Sequence, residues 1–350
     1  MMYAGFMKNA ARKTIFFLII TTIVMAVLIP VLYFVSISFA SNYEAYKFPS
    51  RLFPSFSYDA KFVYNASEEN YSLHILDNGK YESMKTDNNA KRFATYLQNQ
   101  LNVKMTNKEI SKLMLEAKSS ETVEIKLKKD MLRNYTIFLI LADGSFAALL
   151  NSLQAAGWTI LFSLLLGGTA GYALARMDFK FKETINMSLL IVRMFPIIAI
   201  SLPMVIYIMK MNIYDTPFSL ALVYAVPNIA LTAWITSSIF KGISVELEEA
   251  ALVFGANRLR TFFSITAPLA FPALVASSLY AFLAAWNDSI TALIMTNENP
   301  TLALIVYRTV GSSSIPNIPA AGAIVLLIPS LVFTFVIKNY INQLWGNVKI

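Results

Sequence analysis

Five long stretches without a charged residue constrain the fold of this chain more than any other feature. They cover residues 14–43, 144–175, 216–240, 261–287 and 309–337. Each exceeds the roughly 20 residues that an α-helix needs to cross about 30 Å of hydrocarbon. A sixth apolar stretch, 185–208, contains a single charged residue, Arg193. We therefore predict six transmembrane helices, near 14–39, 151–175, 185–208, 218–240, 271–294 and 318–340.

The composition argues against a soluble enzyme. Of the 350 residues, 56% are hydrophobic and only 14% are charged, whereas roughly a quarter are charged in an ordinary soluble protein. The chain has no cysteine and one histidine, His74, so a thiolate site or a zinc site with two imidazoles is excluded. The apolar stretches contain no paired carboxylates for acid–base chemistry. We therefore predict a membrane protein that is not an enzyme and has no cofactor or metal.

The basic residues predict the orientation of the helices. Lys8, Arg12 and Lys13 precede the first apolar stretch, which places the N-terminus in the cytoplasm by the positive-inside rule. The short loops that are then internal carry most of the remaining basic residues, while the short external loops carry only Lys210 and Arg308. This asymmetry predicts six crossings of the cell membrane with both termini cytoplasmic. It also explains much of the net charge of +8 without a nucleic-acid partner.

A cleaved signal peptide is the alternative interpretation of the first apolar stretch. Ser38-Phe39-Ala40 has the small-x-small pattern of a cleavage site. The apolar segment before it is longer than a signal peptide requires, which favours a transmembrane helix.

Residues 41–140 are polar and charged, and we predict that they form a small external α/β insert. The segments 71–76 and 81–84 flank Asp77-Asn78-Gly79-Lys80, a pattern typical of a β-hairpin. Helical patterns follow at 88–101 and 107–118, the second with Thr106 and Glu109 at capping-box spacing. Residues 122–128 alternate like a half-buried strand. The predicted divisions are thus residues 1–40 with the first helix, 41–140, and 141–350 with a cytoplasmic loop at 241–270.

The cytoplasmic loop at 241–270 predicts a short helix-turn-helix that projects from the membrane. Ser244 is a candidate N-cap, and Glu246, Glu248 and Glu249 lie in the first turns, where carboxylates favour the positive end of a helix. Gly255 allows a left-handed turn before a second helix. A compact helix of this kind suits insertion into a groove of another protein. An ordinary amphipathic loop remains the alternative.

This loop resembles the signature of the inner-membrane permease subunits of ATP-binding-cassette importers. The signature is Glu-Ala-Ala, three residues, Gly, nine residues and Ile-x-Leu-Pro, and Ala267 stands here where the family has Leu. Flanking motifs are similar to the carbohydrate branch, in particular to the maltose permeases. These motifs are Asn151-Ser-Leu153, Tyr172-Ala-Leu-Ala-Arg176 with Phe179, Met194-Phe-Pro196, Glu246-Leu-Glu-Glu249, Trp286-Asn-Asp288 and Gly346-x-x-Lys349. The resemblance covers about 14–55 and 134–350, but most of the insert has no counterpart.

The resemblance implies an architecture, partners and coupling residues. The fold would be the all-α, six-helix architecture of type I importer permeases. The partners would be a second permease subunit, two ATPase subunits and an extracytoplasmic solute-binding protein. This chain has no Gly-x-x-x-x-Gly-Lys-Ser/Thr phosphate loop, so the ATPase would be another chain. The residues implied in ATPase coupling are Glu248, Glu249, Ala250, Ala251, Gly255, Ile265 and Pro268.

Polar side chains within the apolar stretches are candidates for the translocation pathway, because each costs free energy unless it faces protein or water. Hydroxyl hydrogen bonds and an aromatic platform would suit a sugar. The candidates are Arg193, Tyr224, Asn228, Trp286, Asn287 and Asp288. The alternative is that Arg193 and Asp288 neutralise each other or bind backbone carbonyls and hold helices together.

Import of a sugar or oligosaccharide is the function that these features favour. An importer for another solute, such as a polyamine or a phosphate ester, is the nearest alternative, because only the flanking motifs indicate carbohydrate. A self-sufficient secondary transporter is the other, and it would be expected to show repeated halves, broken helices or paired intramembrane acids.

Overall fold

The computed structural model describes residues 2–47, 53–77, 79–141 and 144–345. Two compact units divide the chain. One is formed by the residues up to 142 together with 312–324, and the other by 143–311 together with the chain from 325 onward. The tail motif Gly346-x-x-Lys349 lies outside the described residues.

The first unit begins with α1 (Met2–Ser38), which contains the first predicted transmembrane segment. The side chains from 13 to 34 are all exposed in the isolated chain, as expected for a helix whose surroundings are lipid. A single helical turn, α2 (Asn42–Ala45), follows and begins with a capping box between Ser41 and Glu44.

The insert is a four-stranded antiparallel sheet with two helices. Its strands are β1 (Ser57–Asn65), β2 (Asn70–Asp77), β3 (Lys80–Asp87) and β4 (Thr122–Lys128), in the order β3-β2-β1-β4. The helices α3 (Ala90–Leu101) and α4 (Asn107–Ser120) lie between β3 and β4 in the chain. Phe62, Leu73, Phe93, Leu97 and Ile110 are buried in the core that sheet and helices share. This core gives the insert an apolar interior of its own.

The local predictions for the insert are largely confirmed. β2 and β3 pair as a hairpin whose Gly79 has a φ of +80°, while Asn78 lies outside the described residues. The capping box of Thr106 and Glu109 is present, and β4 covers the predicted residues. We did not predict β1, although Tyr58, Ala60 and Phe62 are buried at alternating positions and so carry the period of a strand.

Buried polar groups fasten the insert to the ends of two long helices within the first unit. Asn134 donates hydrogen bonds from Nδ2 to the carbonyls of Ser38 and Ala40, at 2.9 and 2.7 Å. Asn317, at the start of α17 (Asn317–Trp345), donates to the same Ala40 carbonyl at 3.2 Å. Asn102, just after α3, donates to Asn134 Oδ1 at 3.2 Å. The end of α1 and the start of α17 thus share one hydrogen-bond network with the insert.

A buried ion pair adds to this attachment. Lys129, which follows β4, pairs with Glu44 of α2, and the Lys129 side chain is fully buried. Burial opposes ionisation of Glu44, but Lys129 and the N–H groups of Ser41 and Ser55 outweigh it and lower the pKa of Glu44 below its ordinary value. The carboxylate is therefore held in its charged form.

The last helix of the insert side of the chain is α5 (Arg133–Thr136), a single turn at the end of the first unit. The helices from α6 to α16 lie mainly in the second unit. The second apolar stretch is α6 (Ser145–Phe162), a π-helical segment at 163–167, and α7 (Gly168–Arg176). The following elements, in order, are α8 (Lys182–Met194), α9 (Ile197–Lys210), α10 (Pro217–Gly242), α11 (Val245–Val253), α12 (Arg258–Thr261), a π-helical segment at 262–266, α13 (Ala267–Leu269), α14 (Phe271–Trp286), α15 (Ile290–Met295) and α16 (Leu302–Ser312).

Four helices in the described part of the chain are long and apolar enough to cross a membrane, and there are up to six spans if each of two bent pairs counts as one. The predicted helix 185–208 is wrong in detail, because α8 and α9 meet at an angle of 91°. The bend falls at Pro196, which has no N–H and disfavours a helical conformation in the residue before it. The predicted helix 271–294 is interrupted between α14 and α15, around Asp288.

Candidate coupling site

The predicted projecting helix is α11, and its C-terminal end is apolar and exposed. Val253 and Phe254 are 85% and 91% exposed. Gly255 ends the helix with a φ of +89°, as the sequence predicted. Its N–H donates to the carbonyl of Leu252, and the N–H of Ala256 donates to the carbonyl of Ala251, both at 3.0 Å. This pair of bonds is a Schellman motif, which closes the helix and leaves its tip uncovered.

Glu248, which the resemblance implied in ATPase coupling, points toward the interior of the chain. Its side chain is buried, and Arg176 Nε donates to Oε1 at 2.9 Å while the Tyr172 hydroxyl donates to Oε2 at 2.8 Å. Arg176 also donates from Nη2 to the carbonyl of Ile243 at 2.8 Å. The carboxylate is therefore occupied by the end of α7, whereas the neighbouring Glu249 is exposed. We call Tyr172, Arg176 and Glu248 the latch.

Two aromatic rings pack against Tyr172 of the latch. Tyr172 of α7 lies 5.6 Å from Phe240 at the end of α10 and 4.7 Å from Phe262 in the π-helical segment, measured between ring centroids. Phe240 is fully buried. The rings join the segments on both sides of α11, so the latch rests on a small apolar core of its own.

The remaining coupling candidates lie along the segment from α11 to α14. Ala250 is exposed and Ala251 is half-buried on α11, while Ile265 is half-buried in the π-helical segment. Pro268 lies inside α13, and the 77° bend before the next span falls after Leu269. Ser244 occupies the N-cap position of α11 as predicted, but its side chain binds the carboxylate of Glu246 and makes no capping hydrogen bond to a backbone N–H.

Two glycines bring the second and fourth spans into close contact, and sequence reasoning gave them no role. A Cβ on Gly167 would lie 2.7 Å from Thr232 Cβ and 2.8 Å from the carbonyl oxygen of Ile229. A Cβ on Gly171 would lie 2.7 Å from the carbonyl oxygen of Ala233 and would overlap the Thr236 hydroxyl. Gly-x-x-x-Gly in an apolar stretch is a known signal for close packing of membrane helices, and it could have found this contact.

Three pathway candidates lie together. The Tyr224 hydroxyl donates to Asp288 Oδ1 at 3.2 Å, and the backbone N–H of Thr291 donates to the same oxygen at 2.7 Å. Asn228 lies one turn from Tyr224 and donates to its carbonyl at 2.8 Å. The Asn228 Oδ1 atom is buried and has no partner among the described residues. A polar cluster therefore spans α10 and the break after α14.

The other three candidates are not in this cluster. Trp286 is fully buried, donates to the carbonyl of Leu326 at 2.9 Å and stacks on Phe282, so in this chain it is a packing residue and not the expected open platform. Arg193 is exposed near the end of α8 and Asn287 is exposed after α14. Within the described residues Arg193 makes no ion pair, so the alternative in which it neutralises Asp288 is wrong.

A second acidic residue, Asp215, joins two loops of the second unit by hydrogen bonds. We did not identify it from the sequence. Asp215, between α9 and α10, accepts hydrogen bonds from the N–H groups of Asn297, Glu298 and Asn299 at 2.8, 3.0 and 3.1 Å. Burial opposes its ionisation, but these donors outweigh it and lower the pKa of Asp215 below its ordinary value.

Comparison with known proteins identifies the family. Residues 163–345 match the family described as the binding-protein-dependent transport system inner membrane component. The chain belongs to this family. Family membership and the apolar helices make it an integral protein of the cell membrane and a transport component, which confirms the predicted class. Broken helices, which we expected of a secondary transporter, occur in this chain too. The family match, and not the bends, therefore distinguishes a binding-protein-dependent permease from a secondary transporter.

Individual relatives agree with this assignment. The chain is 31% identical over 207 residues to a putative ABC transporter permease protein of Streptomyces antibioticus, covering 58% of this chain and 90% of the relative. It is 32% identical over 200 residues to the trehalose transport system permease protein SugB of Mycobacterium tuberculosis, covering 56% and 73%. It is 29% identical over 220 residues to the trehalose/maltose transport system permease protein MalG of Thermococcus litoralis, covering 61% and 78%.

A solved structure shows the same fold. It is that of a bacterial ABC transporter involved in the import of the acidic polysaccharide alginate. The TM-score is 0.58 at 16% identity, and the similarity covers 95% of this chain and 98% of the other. The fold is therefore that of an ABC importer permease, as the sequence predicted.

Proposed function

We propose that this chain is the permease subunit of an ATP-binding-cassette importer for a sugar or oligosaccharide. The relatives that support the solute class are named for trehalose and maltose. The chain would form part of the pathway together with a second, non-identical permease subunit. Two separate ATPase subunits would drive transport, and an extracytoplasmic solute-binding protein would deliver the solute. Both termini would be cytoplasmic, with six spans if each bent helix pair crosses once.

The exposed apolar tip of α11 is the observation that supports ATP coupling. Val253 and Phe254 are 85% and 91% exposed, and Glu249 is exposed on the same short helix. An apolar helix tip with a carboxylate suits a groove on a partner whose rim carries basic groups. We propose that this groove belongs to an ATPase subunit and that α11 is the coupling helix.

The polar cluster of Tyr224, Asn228 and Asp288 is the proposed contribution to the pathway. A hydroxyl, an amide and a carboxylate can each exchange hydrogen bonds with sugar hydroxyls. Arg193 and Asn287 are exposed in the isolated chain, and we propose that they face the second permease subunit or the pathway that it encloses. Charged groups in spans are otherwise costly in lipid.

The insert is proposed to receive the solute-binding protein. It follows the first span of a chain whose N-terminus is proposed to be cytoplasmic, so it would lie outside the cell. Deleting residues 60–130 should weaken binding of the solute-binding protein more than assembly with the ATPase subunits. Equal affinity for the solute-binding protein before and after deletion would refute this role.

The turn at Gly255 provides the experiment that tests ATP coupling. Proline cannot reach a φ of +89° and lacks the N–H that Gly255 donates to Leu252. We expect Gly255→Pro to insert normally but to lose ATP-driven uptake in the assembled transporter. Gly157→Ala is the matched control, because that helix position has open space around it. Normal uptake by Gly255→Pro would refute the assignment of α11.

A further inference from the structure

We infer that Tyr172 and Arg176 are positioning residues that fasten the coupling helix to α7, so that movement of α11 reaches the second span directly. This inference rests on the proposed function of α11 as the coupling helix. It assigns a role in transmitting movement to residues on a transmembrane helix, outside the 241–270 loop.

The latch holds α11 at more than one point. A single guanidinium contacts the carbonyl of Ile243, just before α11, and the carboxylate of Glu248 within it, at 2.8 and 2.9 Å. Tyr172 lies one turn earlier on α7 and binds the other carboxylate oxygen at 2.8 Å. Both oxygens of Glu248 are therefore fixed, and charge-assisted bonds of this kind define orientation as well as distance.

Covalent links alone would transmit movement poorly. Ile243 and Ser244 join α10 to α11, and two residues follow Gly255 before α12 begins. Each link contains residues outside the helices, and their φ and ψ angles are the soft dihedrals of the backbone. A push on the exposed tip could therefore rotate α11 without moving a span. Through Glu248, the latch adds an attachment within α11 itself, which removes that freedom.

The span that contains α7, to which the latch binds α11, is itself packed closely against α10. Gly167 and Gly171 lie on the same helix as Tyr172 and Arg176, within three turns of the latch, and allow α7 to approach the backbone of α10 closely. Small residues of this kind let two helices pack in van der Waals contact along their length. Displacement of α7 should therefore displace α10, which carries Tyr224 and Asn228 of the polar cluster.

Geometry, more than stability, explains why charged groups occupy this position. Burying an ion pair carries a desolvation cost that apolar side chains would avoid, and the rings of Phe240 and Phe262 already supply apolar contacts here. What the ion pair adds is a defined register between α11 and α7. A transport step that depends on moving α11 and α7 together requires such a register.

The test separates coupling from assembly. The double variant R176M/E248Q removes both charges without leaving either one unpaired, and Tyr172→Phe removes only a hydroxyl from the ring cluster. Asp178→Asn is the matched control, because it breaks an exposed ion pair with Lys182 in the segment that follows α7. The complete transporter in vesicles is assayed for assembly, ATP hydrolysis and sugar uptake.

We expect the double variant to assemble and to hydrolyse ATP, while sugar moved per ATP falls about tenfold, within the range of known coupling mutations. Tyr172→Phe should show a smaller loss, and Asp178→Asn none. Wild-type sugar transport per ATP in the double variant would overturn the latch while leaving the function of α11 intact. Normal uptake by Gly255→Pro would instead refute the proposed function itself.

A distance measurement covers the case in which the double variant does not assemble. The chain has no cysteine, so cysteines introduced at Leu247 of α11 and at Leu166, both exposed, take spin labels without background. We expect the distance between these labels to stay the same in the nucleotide-free and ATP-trapped transporter. A change in that distance in the otherwise wild-type transporter would show that α11 moves independently of the second span and would overturn the inference.

Discussion

The close contact between α7 and α10 predicts that Gly171→Ala destabilises the protein. The added Cβ would lie 2.7 Å from the carbonyl oxygen of Ala233, and ordinary contact begins near 3.4 Å. The helices must therefore separate by about 0.7 Å, and overpacking of this kind costs about 1–3 kcal/mol. Alanine returns about 0.5–1 kcal/mol through its better helix propensity. Taking the middle of both ranges, we expect a net destabilisation of about 1 kcal/mol.

Gly157→Ala is the matched control for this prediction. It makes the same exchange in the preceding helix, where a Cβ meets nothing within 4 Å, so we expect stability to be unchanged or slightly raised. Thermal unfolding in detergent, followed by tryptophan fluorescence, compares the two variants. Adding Thr236→Ala to Gly171→Ala should restore only part of the loss, because the Ala233 carbonyl stays in place. If Gly171→Ala unfolds at the same temperature as Gly157→Ala, the close contact does not exist.

Three further predictions concern the loops and the insert. The pKa of Asp215 is lowered in the fold, so its contribution to stability is present at neutral pH and is lost as the pH falls below about 4. We therefore expect proteolysis of the 296–301 loop to become faster in acid. The variant Asp215→Asn should show this fast cleavage at every pH. Glu44→Ala leaves the Lys129 ammonium buried without its partner and should lower the free energy of unfolding by about 3–5 kcal/mol. In urea unfolding, the double variant Glu44→Ala/Lys129→Met should recover most of this loss. Equal stability of the single and double variants would contradict the pairing. Thr106→Ala removes the capping box of α4 and should cost about 1 kcal/mol; an unchanged unfolding midpoint of the insert would argue against the cap.

The sequence predicted the features that depend on local pattern. Long apolar stretches predict helices in lipid because every backbone polar group must be satisfied within the helix. The hairpin at Gly79, the capping box at Thr106 and the left-handed turn at Gly255 are each specified by one or two residues with a particular conformational preference. These features need no information about distant parts of the chain.

The features that we missed depend on which neighbour a side chain meets. Glu248 and Glu249 are adjacent carboxylates about 100° apart on one helix, and only the approach of α7 decides that Glu248 turns inward. The role of Trp286 likewise depends on the position of Leu326. The proline at position 196 indicated a possible bend, but hydropathy alone stays high across a proline and does not report a change in helix direction. Tertiary contacts therefore decide the details of the coupling and pathway sites.

Reconstitution with and without the ATPase subunits tests the central claim most directly. Vesicles would contain this chain and its permease partner, and uptake of a labelled disaccharide from its solute-binding protein would be followed. The account predicts uptake only when the ATPase subunits and ATP are present. Uptake at the same rate by this chain without any ATPase subunit would contradict it.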